Sequence, residues 1–71
     1  MFKIEIEQEA DGRWLAEITA LPGVMAYGKD ARDAQRKVEA LALHVLAERL
    51  EQGERLPQGA YEMVAKLFAA A

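Results

Sequence analysis

The sequence contains no cysteine, serine or asparagine, and only one histidine, one threonine and one tryptophan. Without cysteine there is no disulfide, and a lone histidine rules out the usual structural zinc sites. With Thr19 as the only hydroxyl apart from the tyrosines, no nucleophile–base pair is available. His44 is a general base only in principle, because no companion is in reach along the sequence; it reads as a flank residue of a helix. Gly12, Gly23 and Gly28 are too widely spaced for a phosphate-binding loop. No cofactor is expected. No apolar run approaches the roughly 20 residues needed to cross a bilayer. The opening Met1-Phe2-Lys3-Ile4-Glu5-Ile6-Glu7 is broken by acidic residues at once, unlike a signal peptide, so the cytoplasm is the expected location. Positive charge is also scarce as a cluster. Asp30, Asp33 and Glu39 dilute Arg32, Arg36 and Lys37, and the net charge is −3, so general attraction to a nucleic-acid backbone is not expected.

What remains is an ordered globular composition, 52% hydrophobic and 30% charged. At 71 residues there is room for one small domain. A chain this short buries only about 60% of the surface that its unfolded form exposes. Small scaffolds compensate with disulfides, a metal or a partner subunit. The first two are excluded here, so a homo-oligomer is expected.

Residues 2–9 alternate with period two, which marks a half-buried strand. Phe2, Ile4 and Ile6 point one way; Lys3, Glu5, Glu7 and Glu9 point the other. Asp11-Gly12 then signals a hairpin turn. Residues 13–20 alternate again, with Trp14, Ala16 and Ile18 on one face and Arg13, Leu15, Glu17 and Thr19 on the other. Trp14 reads as a core residue, as does Tyr27. Pro22-Gly23 suits the centre of a type II turn after Leu21. Val24 to Tyr27 forms a third short strand ending at Gly28.

Asp30 is a good helix N-cap, with Asp33 three residues on in a capping-box-like arrangement. The spacing predicts a helix over about 31–52, ended by Gly53 as a C′ glycine. Ala34, Val38, Leu41 and Val45 form the stripe expected to cover the sheet. Leu43, Leu46, Ala47 and Leu50 project as a second apolar patch, away from the first. After a connector at 54–59, residues 60–70 give a short amphipathic helix, with Ala60, Met63, Val64, Leu67 and Phe68 on one face. A helix of that length is marginal alone in water. It is expected to dock on the second patch, within the chain or across to another subunit. The interface so predicted comprises Leu43, Leu46, Leu50, Met63, Val64, Leu67 and Phe68. The fold class is therefore α+β: a three-stranded antiparallel meander on one long helix (residues 1–57), plus a short C-terminal helix within 58–71.

Glu5, Glu7 and Glu9 share a strand face about 7 Å apart. Carboxylates so placed can hold Mg²⁺ in a nuclease. The plainer readings are a solvated polar face, or an acidic face for a basic protein partner. Glu17 joins the same group.

The order of features resembles a known family. Asp11-Gly12-Arg13-Trp14-Leu15-Ala16-Glu17 looks like its DG-x-W-x-A-E segment. Leu21-Pro22-Gly23-Val24, Tyr27-Gly28, a capped helix carrying Ala34 and Ala40-Leu41, and Gly53-Glu54-Arg55-Leu56-Pro57 follow in the family's order. The chain thus resembles the HicB-like antitoxin domain over about residues 2–57. The resemblance implies a partial RNase H-like fold without the nuclease site. It also implies a non-catalytic antitoxin that binds a small, basic HicA-type mRNA-cleaving toxin and covers its catalytic surface. Many members add a C-terminal DNA-binding domain. Residues 58–71 provide one short helix instead, so direct nucleic-acid binding by this chain is not expected. The family's fourth strand has at most residues 54–56 to form it. Asp11, Gly12, Trp14, Pro22, Gly23 and Gly28 read as structural: turns, and one core aromatic. The partner-binding candidates are Glu5, Glu7, Glu9 and Glu17. The alternative is an orphan homo-oligomer with a structural or small-ligand role.

Overall fold

The computed structural model describes residues 2–68. Along the chain come β1 (Glu5–Gln8), β2 (Trp14–Glu17), β3 (Met25–Gly28), α1 (Ala31–Glu51) and α2 (Gln58–Leu67). The strands form one antiparallel sheet in the order β1-β2-β3, and α1 covers one face of it. The α+β meander with a long and a short helix is the architecture that the periodicities predict. β1 and β2 are shorter than their alternations, the hairpin loop and the turn at 18–24 taking the facing ends of the ladders, while β3 has its expected length, shifted by one residue. Residues 54–57 form no strand. Residues 69 and 70, expected at the end of the second helix, and residue 71 lie outside the described residues.

Residues directly opposite in a ladder share a face. Ile6–Ala16–Ala26 and Gln8–Trp14–Gly28 are the inner rows, under α1. Glu5–Glu17–Met25 and Glu7–Leu15–Tyr27 are the outer rows. Tyr27 is therefore not a core residue: it is exposed on the outer face, while Trp14 packs against the core.

Two turns place the strands. In the first, Gly12 donates its N–H to Glu9 O (3.0 Å) and Glu9 donates to Arg13 O (2.7 Å). The loop is thus Ala10-Asp11-Gly12, with Gly12 left-handed at φ 94°. The Asp11 carboxylate accepts from Arg13 N–H (3.0 Å) and pairs with the Arg13 guanidinium (2.8 Å). Both interactions, the backbone one foremost, hold Asp11 below its ordinary pKa of 3.8. In the second turn, Val24 N–H reaches Leu21 O at 3.0 Å across Pro22-Gly23, with Gly23 at φ 86°. That is the predicted type II turn.

Gly28 behaves differently from its expected role. It sets no turn; it is buried within β3, under the first turn of α1. A Cβ there would fall on the backbone of Ala34 and Asp33. Glycine is used here for close approach of strand and helix.

The core stripe of α1 is Ala34, Val38, Ala42 and Leu46, a row at i, i+4 spacing. Leu41 and Val45, expected in it, are half-buried on its flank. Leu46, expected in the separate second patch, is in the core. The close approach at Gly28 accounts for the near end of the row: Ala34 sits directly over that glycine, and small side chains there bring the helix against the sheet. Four of the ten core residues are alanine, so the core is thin, and Leu21 and Val38 are its largest fully buried side chains.

Both ends of α1 are closed as expected. Asp30, with extended backbone, accepts from Asp33 N–H (2.7 Å). Gly53 N–H reaches Leu50 O and Glu54 N–H reaches Arg49 O (3.1 and 2.9 Å), a Schellman arrangement around a left-handed Gly53. Asp33 itself is buried. It accepts from Lys29 N–H (3.0 Å) and pairs with Arg36 (2.6 Å) and Lys37 (3.1 Å). These partners, first the Lys29 N–H and then Lys37, hold its carboxyl below the ordinary 3.8. A lowered folded pKa means that the unfolded chain binds the proton more readily. The stabilisation from Asp33 is therefore full above pH about 3.8 and lost as pH falls through the lower, folded value. In urea titrations across that range, Asp33→Asn should lose stability with acid less steeply than the parent. An equal acid slope in both proteins would show that Asp33 is not the linked group.

Helix α2 begins at Gln58, two residues before its expected start, because Pro57 O accepts the N–H of both Ala60 and Tyr61. Ala60 is buried, and Met63 and Val64 pack partly against the core. Leu67 and Phe68 remain exposed, as do Leu43 and Leu50 on α1. The expected interface is thus half formed within the chain: Leu46, Met63 and Val64 take part, and the other four residues do not.

Candidate protein-binding site

Among the described residues, no helix packs over the outer face of the sheet. Its centre is apolar: Leu15, flanked by Tyr27 and Met25 on β3, both exposed. Its β1 side is acidic. Glu5 stands directly opposite Glu17, and Glu7 stands opposite Leu15. Glu5, Glu7, Leu15 and Glu17 line a shallow hollow of about 260 Å³. Like charges directly opposite in a ladder destabilise it, by about 0.2–1 kcal/mol. Among the described residues, Lys3 approaches Glu5 at 3.9 Å, and neither Glu7 nor Glu17 has a cation within ion-pair distance.

Arg13 closes the far end of this face. Its guanidinium lies over the Tyr27 ring, 4.1 Å from the centroid, while paired with Asp11. The hairpin loop is thereby tied across β2 to β3. Glu9 lies past the end of β1 in that hairpin, half-buried, and does not line the hollow. Of the four predicted acidic residues, three come together and Glu9 does not.

Leu15, Met25 and Tyr27 make up the apolar part of the site, and none of them was singled out in the sequence as a binding residue. For Leu15 a signal existed, since it shares the alternating face with Glu17. For Met25 and Tyr27 a four-residue strand gives too few alternations to tell in from out.

The remaining candidates carry less chemistry. The basic cluster at the start of α1 is partly neutralised, because Arg36 and Lys37 both pair with Asp33. His44 is exposed on α1. Among the described residues, no group of three His, Asp or Glu side chains is placed to hold a metal ion. Among them too, no helix is long and apolar enough to cross a membrane.

On the helix side of the molecule there is a second concavity, a groove of about 560 Å³ between α1, α2 and the segments just before β1 and just after β2. Its walls are mainly Phe2, Ile4, Ile18, Leu43, Leu46 and Met63. No family model, no curated protein and no solved structure matches the chain.

Proposed function

We propose that the chain is a non-catalytic protein-binding module acting in the cytoplasm, the HicB-like antitoxin of a type II toxin–antitoxin pair. Its partner is a small, basic, HicA-type mRNA-cleaving toxin, and its task is to cover that toxin's catalytic surface. The observation that supports this reading is the bare outer face of the sheet. A like-charged pair, Glu5 and Glu17, is retained beside Glu7 and an exposed apolar centre. An RNA-cleaving surface is basic, because it must hold phosphates. Acidic groups around an apolar centre complement such a surface, and the mutual repulsion of Glu5 and Glu17 is relieved when cations of the partner arrive.

The test is capture from the native host with tagged protein, followed by mass spectrometry. One small basic protein is expected at near-equal amount, with its RNA cleavage suppressed in the complex. The double variant Glu5→Lys/Glu7→Lys replaces exposed side chains and should fold normally. Placing like charges against the partner costs several kcal/mol, so its affinity for the recovered protein should fall by about 100-fold or more. Unchanged affinity would remove the acidic face from the interface. Recovery of the chain alone would favour the orphan homo-oligomer, for which the apolar groove on the helix side is the supporting observation.

A further inference from the structure

Helix α1 sits off-centre on the sheet, packing most closely on β3, less on β2 and least on β1. Helix α2 packs on the core through Ala60, Met63 and Val64, and the groove lies between α2, α1 and the side chains of Phe2, Ile4 and Ile18. Leu43 on the groove wall is 58% exposed. Just beyond the groove, Leu67 and Phe68 at the tip of α2 are 66% and 72% exposed.

The molecule is also more open than its mass requires. A compact monomer of 7.9 kDa exposes about 4,400 Å² by the usual scaling. This chain exposes 5360 Å². The excess is close to the roughly 800 Å² per partner that a stable protein–protein interface buries. The radius of gyration is 13.7 Å, against about 11 Å for a compact chain of this length, and the long axis extends 49 Å.

We propose that a second copy of this chain occupies the groove. In a two-fold dimer, Leu67 and Phe68 of each copy seat over Leu43 in the groove of the other. The knob and the hole are on one chain, so a two-fold axis fills both holes at once and closes the assembly. The charges on the rim agree. Glu39, Glu62 and Lys66 line the groove, so it carries both signs. Lys66 of one copy meets Glu39 of the other, whereas a partner of one sign would leave a rim charge unmatched. The dimer leaves both outer sheet faces free, so this inference does not depend on the toxin-binding reading.

The test is the mass of the untagged chain by light scattering over a concentration series, alone and with substitutions. The dimer mass is expected. Phe68→Glu should raise the dimer dissociation constant by about 100-fold. Lys66→Glu should also weaken the dimer, and adding Glu39→Lys should restore it. Because the chain has no cysteine, Leu43→Cys and Phe68→Cys can be made separately and mixed under oxidising conditions. The mixture should give a disulfide-linked pair well beyond what either variant gives alone. A monomer mass throughout, as when the groove takes a small ligand or a different protein, would overturn the proposal. So would a dimer indifferent to Phe68→Glu, or the absence of the mixed disulfide.

Discussion

Gly28→Val is expected to leave most of the chain unfolded without denaturant. A Cβ at this position would meet Ala34 Cα at 2.7 Å and the Asp33 carbonyl carbon at 2.8 Å. These are backbone atoms and have no rotamer into which to retreat. Helix α1 would have to lift from the sheet where Ala34 and Val38 are fully buried, and where Asp33 holds the Lys29 N–H. Overpacking by one methyl group costs about 1–3 kcal/mol, and the branched side chain of valine costs more. A single core in a chain this small rarely supplies more than about 3–5 kcal/mol. Gly28→Ala should therefore fold with a much lower urea midpoint, and Gly28→Val should not fold to a useful extent. Trp14 stands directly opposite Gly28 in the ladder, so its fluorescence reports the change together with far-ultraviolet circular dichroism. A Gly28→Ala midpoint equal to that of the parent would mean that strand and helix are not pressed together here.

Leu21→Ala should be nearly as damaging, while Pro22→Ala next to it should be mild. Leu21 is one of the two largest side chains with no exposure, so truncating it leaves a hole in a thin core. Leucine-to-alanine changes at such sites cost about 2–5 kcal/mol. Pro22 acts mainly by restricting the unfolded chain, an effect of about 0.4–1 kcal/mol. Its turn remains closed by the bond from Val24 N–H to Leu21 O and by the left-handed Gly23. Urea titrations of the two variants separate plug from hinge. Equal losses would show that the turn, rather than the buried leucine, is what the Leu-Pro-Gly segment contributes.

The parts of the fold that depend on one residue type were legible in the sequence. Alternation placed Ile6 and Ala16 inward and Glu5, Glu7, Leu15 and Glu17 outward, because the side-chain period of a strand is two. Pro22-Gly23, Asp30 and Gly53 announced a turn, a cap and a stop through their own stereochemistry. What depends on distance between elements was not legible. Whether Ala42 and Leu46 or Leu41 and Val45 face the sheet is a rotation of one residue, and hydropathy favours the larger side chains. At the near end of the helix the deciding fact is how close it lies, and that is set by Gly28 on another element. Asp33 read as the capping-box-like partner of Asp30, but its carboxylate takes the Lys29 N–H, and Arg36 and Lys37 converge on it as well. In the candidate site, the acidic residues were visible and their apolar companions on β3 were not.

The off-centre seat of α1 also divides the domain by strength. With β2 and β3, α1 forms a block that includes Ala34 and Val38 and is locked at Gly28. Helix α2 leans on that block through Ala60, Met63 and Val64, so it is the part whose amides should exchange by local opening rather than by global unfolding. The cooperative unit is then smaller than the chain. The α2 wall of the groove lies in the more weakly held part, where association with another surface gains most by adding the order that the core does not supply.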